Sequence, residues 1–532
     1  MSAPLAPTDH HDVVVVGGGH NGLVAACYLA RAGLSVLVLE RLGHTGGAAV
    51  SAQAFSGHAA RLSRYSYLVS VLPDAMVADL GLDLRLESRR TASYTPLVRD
   101  GRATGLLVER PEGEATRRSF AEVTGSDDAY AQWQAFGADA EALAAAVAPT
   151  LMQPLPREAD VRAAVDERVW RELVATPLGV TVRERLDDDL LRGTVATDGL
   201  IGTSVSLDDP SLVANRCFLY HVVGNGTGEW RVPVGGMGAV TGALRARAEQ
   251  LGATVLTGAG VSRIAADRGA VGGGAEVTWD DASGSHTVPA GHVLANVAPW
   301  VLEILRGGAA DPSTKPVGAQ LKINLLLDRL PRLASGVDPE VAYAGTLHLD
   351  EGYVALEAAY ADAAAGRLPE RIPGEVYCHS LTDPSILGPD APAGQHTLTY
   401  FGLHTPSTLF EGPDGEQVRA EATRRALAGL QQHLAEPLED CLARDADGRP
   451  CVEVRTPVDL EHELALPGGH IFHGDLEWPW ASSRAALDTP AQRWGVQTDA
   501  DAVLLCGSGA RRGGAVSGLG GHDAAMAVLE QR

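Results

Sequence analysis

A short β-branched run, Asp12 to Val16, leads directly into Gly17-Gly18-Gly19-His20-Asn21-Gly22, and an alanine-rich helical stretch follows from Leu23 to Ala32. Gly33 stops that stretch, and a second apolar run, SVLVLE, ends at Glu40. A G-x-G-x-x-G between a strand and a helix restricts the chain to a β-α-β unit that receives a dinucleotide diphosphate on the helix N-terminus. Gly17 permits the tight turn, Gly19 lets a pyrophosphate approach the backbone, and Gly22 lets helix and strand pack closely. Glu40 stands 18 residues beyond Gly22. A carboxylate there accepts hydrogen bonds from ribose hydroxyls and repels a 2′-phosphate, which favours FAD or NAD over NADP. Gly46-Gly47 offers the diphosphate a second close backbone approach.

At ~100–200 residues per domain the 532 residues allow two to four domains. Segments 12–75, 215–311 and 491–532 read as one nucleotide-binding domain, 76–214 and 312–490 as a substrate-binding domain, and 1–11 as a flexible tail. Alanines at helical spacing between 76 and 215 read as core. With 43 basic against 67 acidic residues the net charge is −24, which argues against nucleic acid, since phosphate binding needs clustered cations. The six cysteines form no Cys-x-x-Cys, so a zinc ribbon and a thioredoxin-type motif are excluded, and a reduced, cytoplasmic setting is expected. The N-terminal stretch lacks a signal-peptide pattern and no run of 18 uncharged apolar residues occurs. A peripheral membrane contact and the oligomeric state stay open.

The stretch VVVVGGGHNGLVAACYLARAGLSVLVLERLGHTGGAAV resembles the opening of the FAD-dependent amine oxidase and phytoene desaturase superfamily. HNG in the loop and GGAAV after Glu40 are similar to the branch named for pyridine nucleotide-disulfide oxidoreductase domain-containing protein 2. RYSYLVSVL, WRVPVGGMGAV, GATVLTGAGVSRI, LANVAPW, LKINLLLDRLP, PGGHIFHGDL and the C-terminal LLCGSGARRGGAVSGLGGHDAAMAVL extend the resemblance. It implies an α/β fold with a discontinuous, Rossmann-like, GR2-type FAD-binding domain and an inserted α+β substrate domain. It also implies FAD contacts at Gly17, Gly19, His20, Asn21, Gly22, Glu40, Arg41, Gly46, Gly47, Ala48 and Ala49, at Val261 and Asn296, and at Gly507, Gly514, Ala515 and Val516. A helix beginning near Gly521 would aim its N-terminus at the flavin pyrimidine. Arg511 and Arg512 stand where relatives usually carry His-Pro. They are expected to stabilise the reduced flavin, to bind the FAD phosphate, or to form a solvated pair.

Lys322 lies in the apolar strand QLKINLLL, which resembles the strand that places a lysine against flavin N5 through a water. A solvent-facing lysine on alternating spacing is the competing reading. His473 and Tyr67 are further catalytic candidates on the pocket wall, with an ordinary strand-end polar group and a core aromatic as the competing readings. A metal at His470 and His473 is not expected, because the i,i+3 pair lacks further ligands. No Cys-x4-Cys follows the first loop, which excludes disulfide chemistry, and no second strand-GxGxxG-helix offers an NAD(P)H site. Dioxygen or a quinone is then the expected electron acceptor. The function expected is dehydrogenation or desaturation of a hydrophobic small molecule, a polyene, terpenoid or secondary metabolite, by hydride transfer to flavin N5. Amine oxidation and redox-neutral isomerisation are the alternatives. Rab escort proteins use the same fold as a binding scaffold, but the intact Glu40, Gly46-Gly47 and C-terminal glycines favour FAD retention.

Overall fold

The computed structural model describes residues 10–126, 128–266 and 273–532. Fourteen strands build two seven-stranded sheets: β1 (His11–Val16), β2 (Val36–Glu40), β3 (Thr91–Arg99), β4 (Arg102–Glu109), β5 (Thr254–Thr257), β6 (Gly260–Ala265), β7 (Ala275–Asp281), β8 (Gly284–Ala295), β9 (Leu321–Leu327), β10 (Thr346–Leu349), β11 (Gly374–Tyr377), β12 (His396–Gly402), β13 (Val452–Arg455) and β14 (Val503–Leu505). The first sheet runs β6-β7-β8-β1-β2-β5, with β14 also beside β8. Its centre is parallel: β1 pairs in parallel with β2 and β8, β2 with β5, and β8 with β14. Every residue of β2 is buried. A parallel sheet covered on both faces demands such continuous apolar strands, and VVVV and VLVL supply them.

Helix α1 (His20–Arg31) covers this sheet with α3 (Met237–Gln250) and α4 (Leu519–Leu529) packed beside it. Another helix, α2 (Val213–Val222), precedes α3 and belongs to the large core shared by the helical region. The helix expected near Gly521 begins at Leu519, behind Gly518 in the left-handed region. Residues 1–9 of the expected tail lie outside the described residues. The tail reading is corrected at its end, because His11 already pairs with Ala290 as the first residue of β1.

The second sheet runs β13-β9-β12-β11-β10-β3-β4 and is antiparallel except where β10 meets β3. Alternation gives it two unlike faces. Leu321, Ile323 and Leu325 on β9, Leu398 and Tyr400 on β12, Val376 on β11 and Leu347 on β10 enter one apolar cluster. The residues between them form two polar rows across the strands. Lys322 stands opposite Phe401, Phe401 opposite Glu375, and Glu375 opposite His348. Beside that row run Asn324, Thr399, Tyr377 and Thr346. All eight are buried, so the polar face is covered by protein, not by water.

The C-terminal loop is tied to distant segments by the two arginines, which overturns their expected role at the flavin. Arg512 is 1% exposed and donates to the carbonyls of Pro479 (3.1 Å), Leu151 (3.1 Å) and Gln153 (2.6 Å). Its nearest carboxylate is Asp523, at 3.9 Å. Arg511 donates to the Trp480 carbonyl at 2.9 Å and pairs with Glu477 at 2.5 Å. Both side chains therefore satisfy backbone carbonyls of packed loops, and neither lines the cavity described below. The rigid guanidinium fork suits that task better than an ammonium does. Arg512→Met leaves these carbonyls and Asp523 buried without their cation, so urea denaturation of the holoprotein is expected to show a loss of about 3 kcal/mol, with lysine failing to restore it.

Candidate active site

Between the two sheets runs a cavity of about 360 Å³ that starts at β1 and β2 and ends at the polar face of β9. At the first end Gly17, with φ +101°, takes a backbone conformation that disfavours side chains. A Cβ at Gly22 would lie 2.4 Å from the Gly17 carbonyl oxygen, so only glycine lets α1 dock here. Asn296, at the end of β8, donates from Nδ2 to that same carbonyl at 2.9 Å. The N-terminus of α1 has no side-chain cap, which leaves its N–H groups directed at the cavity for an anion.

Glu40 closes β2 and is 7% exposed. Its Oε2 accepts from the Gly18 N–H and its Oε1 from the Leu42 N–H, both at 2.8 Å. Each oxygen keeps a lone pair for a ribose hydroxyl. Gly46 donates to the Gly18 carbonyl at 2.9 Å, bringing the second glycine loop against the first. Arg41, Val261, Gly19, Gly47 and Ala48 line the same cavity.

At the far end Lys322 is buried, and its Nζ donates to the carbonyls of Ser63 (2.8 Å), Tyr65 (2.8 Å) and Ser66 (3.0 Å). Those bonds use all three ammonium protons. Burial pulls this amine down to about 7, with Glu453 acting in the opposite direction. Lys322 thus lines the cavity as a clamp on the loop that carries Tyr67, and holding a water as well would require it to release a carbonyl. Tyr67 stacks on Tyr377 at 4.7 Å between ring centroids and tilts against Phe401 at 5.1 Å. His473 stands at φ +65° with Nδ1 buried and unpartnered. Burial, then the neighbouring His470 and His20, holds its ring at about 3, so it is a neutral imidazole. The same ring borders an outer groove with Trp300, Asp311, Asp475 and Glu477.

Gly17, Gly19, His20, Glu40, Arg41, Gly47, Ala48, Val261, Asn296, Ala515 and Val516 all line the cavity, as do Lys322, Tyr67 and His473. Asn21, Gly22, Gly46, Ala49, Gly507 and Gly514 stand one layer behind. Asn21 donates to the Gly513 carbonyl at 3.1 Å, and the Ala49 carbonyl accepts from Thr241 at 2.8 Å. Sequence reasoning missed Ile201, His221, Trp230, Phe401 and Phe472 on the walls. Phe401 had a usable signal, because it alternates with Thr399 in the strand opposite Lys322. His221, stacked on Trp230 at 4.9 Å, had none.

A dinucleotide with a polar ring system fits these residues. The backbone donors and Glu40 suit diphosphate and ribose, and two buried orphan atoms of lining residues, Nε2 of His20 and Nδ1 of His473, need a polar partner. Fold and site together define an FAD-dependent oxidoreductase. The chain belongs to the flavin-containing amine oxidoreductase family, which it matches over residues 22–444. It is 49% identical over 528 residues to a protein of Mycobacterium tuberculosis, with 97% of each chain covered. Pyridine nucleotide-disulfide oxidoreductase domain-containing protein 2 of Mus musculus is 30% identical, over 98% of this chain and 93% of that one. A shorter stretch of 96 residues, 18% of this chain and 17% of the other, is 43% identical to one of the limonene dehydrogenase polypeptides of Castellaniella defragrans. Among solved structures, a putrescine oxidase redesigned at its cofactor site shares the fold with a TM-score of 0.57 at 18% identity, covering 99% of this chain and 100% of that one.

Gly22→Val is expected to abolish the flavin absorbance of purified protein, since the new Cβ meets the Gly17 carbonyl at 2.4 Å and Asn296 Nδ2 at 2.8 Å. Lys322→Met is expected to retain FAD, because the lysine lies at the far end from the diphosphate cradle. It frees the Ser63–Ser66 carbonyls, and limited proteolysis should then cut that loop faster than in the wild type.

Proposed function

We propose that the protein dehydrogenates or desaturates an uncharged, largely hydrophobic small molecule, a polyene, terpenoid or related secondary metabolite. One observation carries the reading. Glu40 is the carboxylate among the described residues that line the cavity, and it belongs to the ribose end. The apolar residues of the cavity walls include Leu68, Ile201, Trp230, Phe401, Ile471 and Phe472. A substrate ammonium would find no counter-ion there, and burying an unpaired charge is strongly unfavourable. Limonene, named in one partial relative, is a hydrocarbon of the kind these walls suit.

FAD, when bound, supplies the hydride acceptor. The chain's own residues exclude water and hold the reacting C–H bond against that acceptor, which is the main requirement of such a transfer. Tyr67 and Phe401 support this as rigid aromatic walls, and the clamp from Lys322 fixes the loop that carries Tyr67. His473, neutral and bordering the outer groove, separates the cavity from the side on which dioxygen or a quinone would approach. No helix among the described residues is long and apolar enough to cross a membrane.

Anaerobic mixing of the holoprotein with limonene, a carotenoid polyene, putrescine and cyclohexylamine tests the reading. Bleaching of the flavin by a hydrocarbon and by neither amine is the expected result. Bleaching by an amine alone would assign C–N oxidation instead.

A further inference from the structure

Behind the Tyr67 wall lies a buried group of ionisable side chains that the cofactor does not need. The polar rows of the second sheet bring Tyr377 and Glu375 on β11 beside His348 on β10, with Glu351 in the turn that follows. Tyr377 donates its hydroxyl proton to Glu375 Oε2, and His348 Nδ1 pairs with Glu351 Oε2. The second Glu375 oxygen lies 3.9 Å from His348 Nδ1. Tyr67 stacks on Tyr377 with 4.7 Å between ring centroids, which sets the two phenols side by side. Glu351 and Glu375 are 1% and 4% exposed, and Glu351 Oε1 has no hydrogen-bond partner.

Loss of two hydrogens from adjacent carbons releases one as hydride and one as a proton. The cavity histidines accept that proton poorly, because burial holds His20 and His221 at about 4 and His473 at about 3. We propose that Tyr67, Tyr377 and Glu375 form a proton relay from the cavity wall to the buried Glu375 carboxylate, which lies beside the His348–Glu351 pair. The inference rests on the dehydrogenation reading above. As the substrate C–H bond breaks, its electron pair becomes the new C=C bond while the neighbouring hydride leaves to the flavin. The released proton goes to the Tyr67 oxygen, the Tyr67 proton passes to Tyr377, and the Tyr377 proton passes to Glu375. Tyr67 is the catalytic residue of this step, and Glu375 is a positioning residue that acts through the two phenols.

The surroundings of Glu375 suit a proton acceptor. Burial first, then Glu351, raises its carboxyl to about 7, while His348, Tyr377 and Arg89 act in the opposite direction. Asp198, facing the same group, is likewise raised to about 7 by burial and by Glu375. Cys217 on α2 faces both carboxyls, and burial raises its thiol so that it stays protonated. Arg89 donates to Thr346 Oγ1 at 3.0 Å and is a cation facing Glu375. An acceptor with a pKa near the working pH is the effective one. Since Glu375 is a base only when ionised, relay capacity rises as pH rises through about 7.

Infrared difference spectra of the holoprotein across pH 5 to 9, without substrate, test the relay apart from the substrate assignment. A protonated-carboxyl band that disappears with a midpoint near 7 is expected in the wild type and absent in Glu375→Gln. Tyr377→Phe removes a donor to the carboxylate and should raise the midpoint by about one unit, a tenfold change in proton affinity. Tyr67→Phe should also shift the midpoint, which a cluster unconnected to the cavity would not allow. A band indifferent to Tyr67→Phe, or no titrating band at all, overturns the relay. So does tight binding of Mn²⁺ or Zn²⁺ that Glu351→Gln abolishes, since the group would then be a metal site. Hydrocarbon-induced bleaching with no titrating Glu375 would refute the relay alone, whereas a titrating relay without bleaching would refute the substrate reading alone.

Discussion

The contact between Gly22 and the Gly17 carbonyl is the point on which the rest of the molecule is aligned. With no side chain at Gly22, α1 sits close enough to β1 for its uncapped N-terminus to face the cavity, and Asn296 secures the same carbonyl from β8. Glu40 then reaches back from β2 to the Gly18 N–H, so turn, helix and two neighbouring strands share one small volume. A side chain of any size at Gly22 would separate these parts together.

The second sheet solves a different problem. Its β9 to β12 strands are buried on both faces, and one of those faces is polar. Such a face is expensive unless each group finds a partner, and Lys322, Tyr377 and His348 all do. The clamp from Lys322 and the stack on Tyr377 hold Tyr67 from two directions. The far wall of the cavity is thereby a loop pinned against sheet residues of fixed register.

The β-α-β unit and its glycine turns were legible because their determinants lie within 36 residues, from Asp12 to Gly47, and depend on local spacing. The arginines of the C-terminal loop were misread because residue type alone cannot distinguish a phosphate from a backbone carbonyl as partner. Arg512 finds its acceptors at Leu151, Gln153 and Pro479, and nothing local announces them. Lys322 was visible as an anomaly in an apolar strand, yet the carbonyls that occupy it lie some 260 residues upstream. The group of His348, Glu351 and Glu375 was invisible for a related reason. Cross-strand register assembles it, and neither strand is unusual when read by itself.

The last strand and loop close the cofactor cavity: β14 pairs with β8, Asn21 binds Gly513, and Ala515 and Val516 form part of the wall. During synthesis, Asn296 leaves the ribosome 220 residues ahead of Val516, and both glycine loops leave it earlier still. At ~5–20 residues per second this is a delay of roughly 10–45 s, in which β9 to β13 emerge and can join β3 and β4 in the second sheet. Cofactor capture is therefore a late step of biogenesis, and a chain released before its final loop would carry most of both sheets around an unclosed cradle.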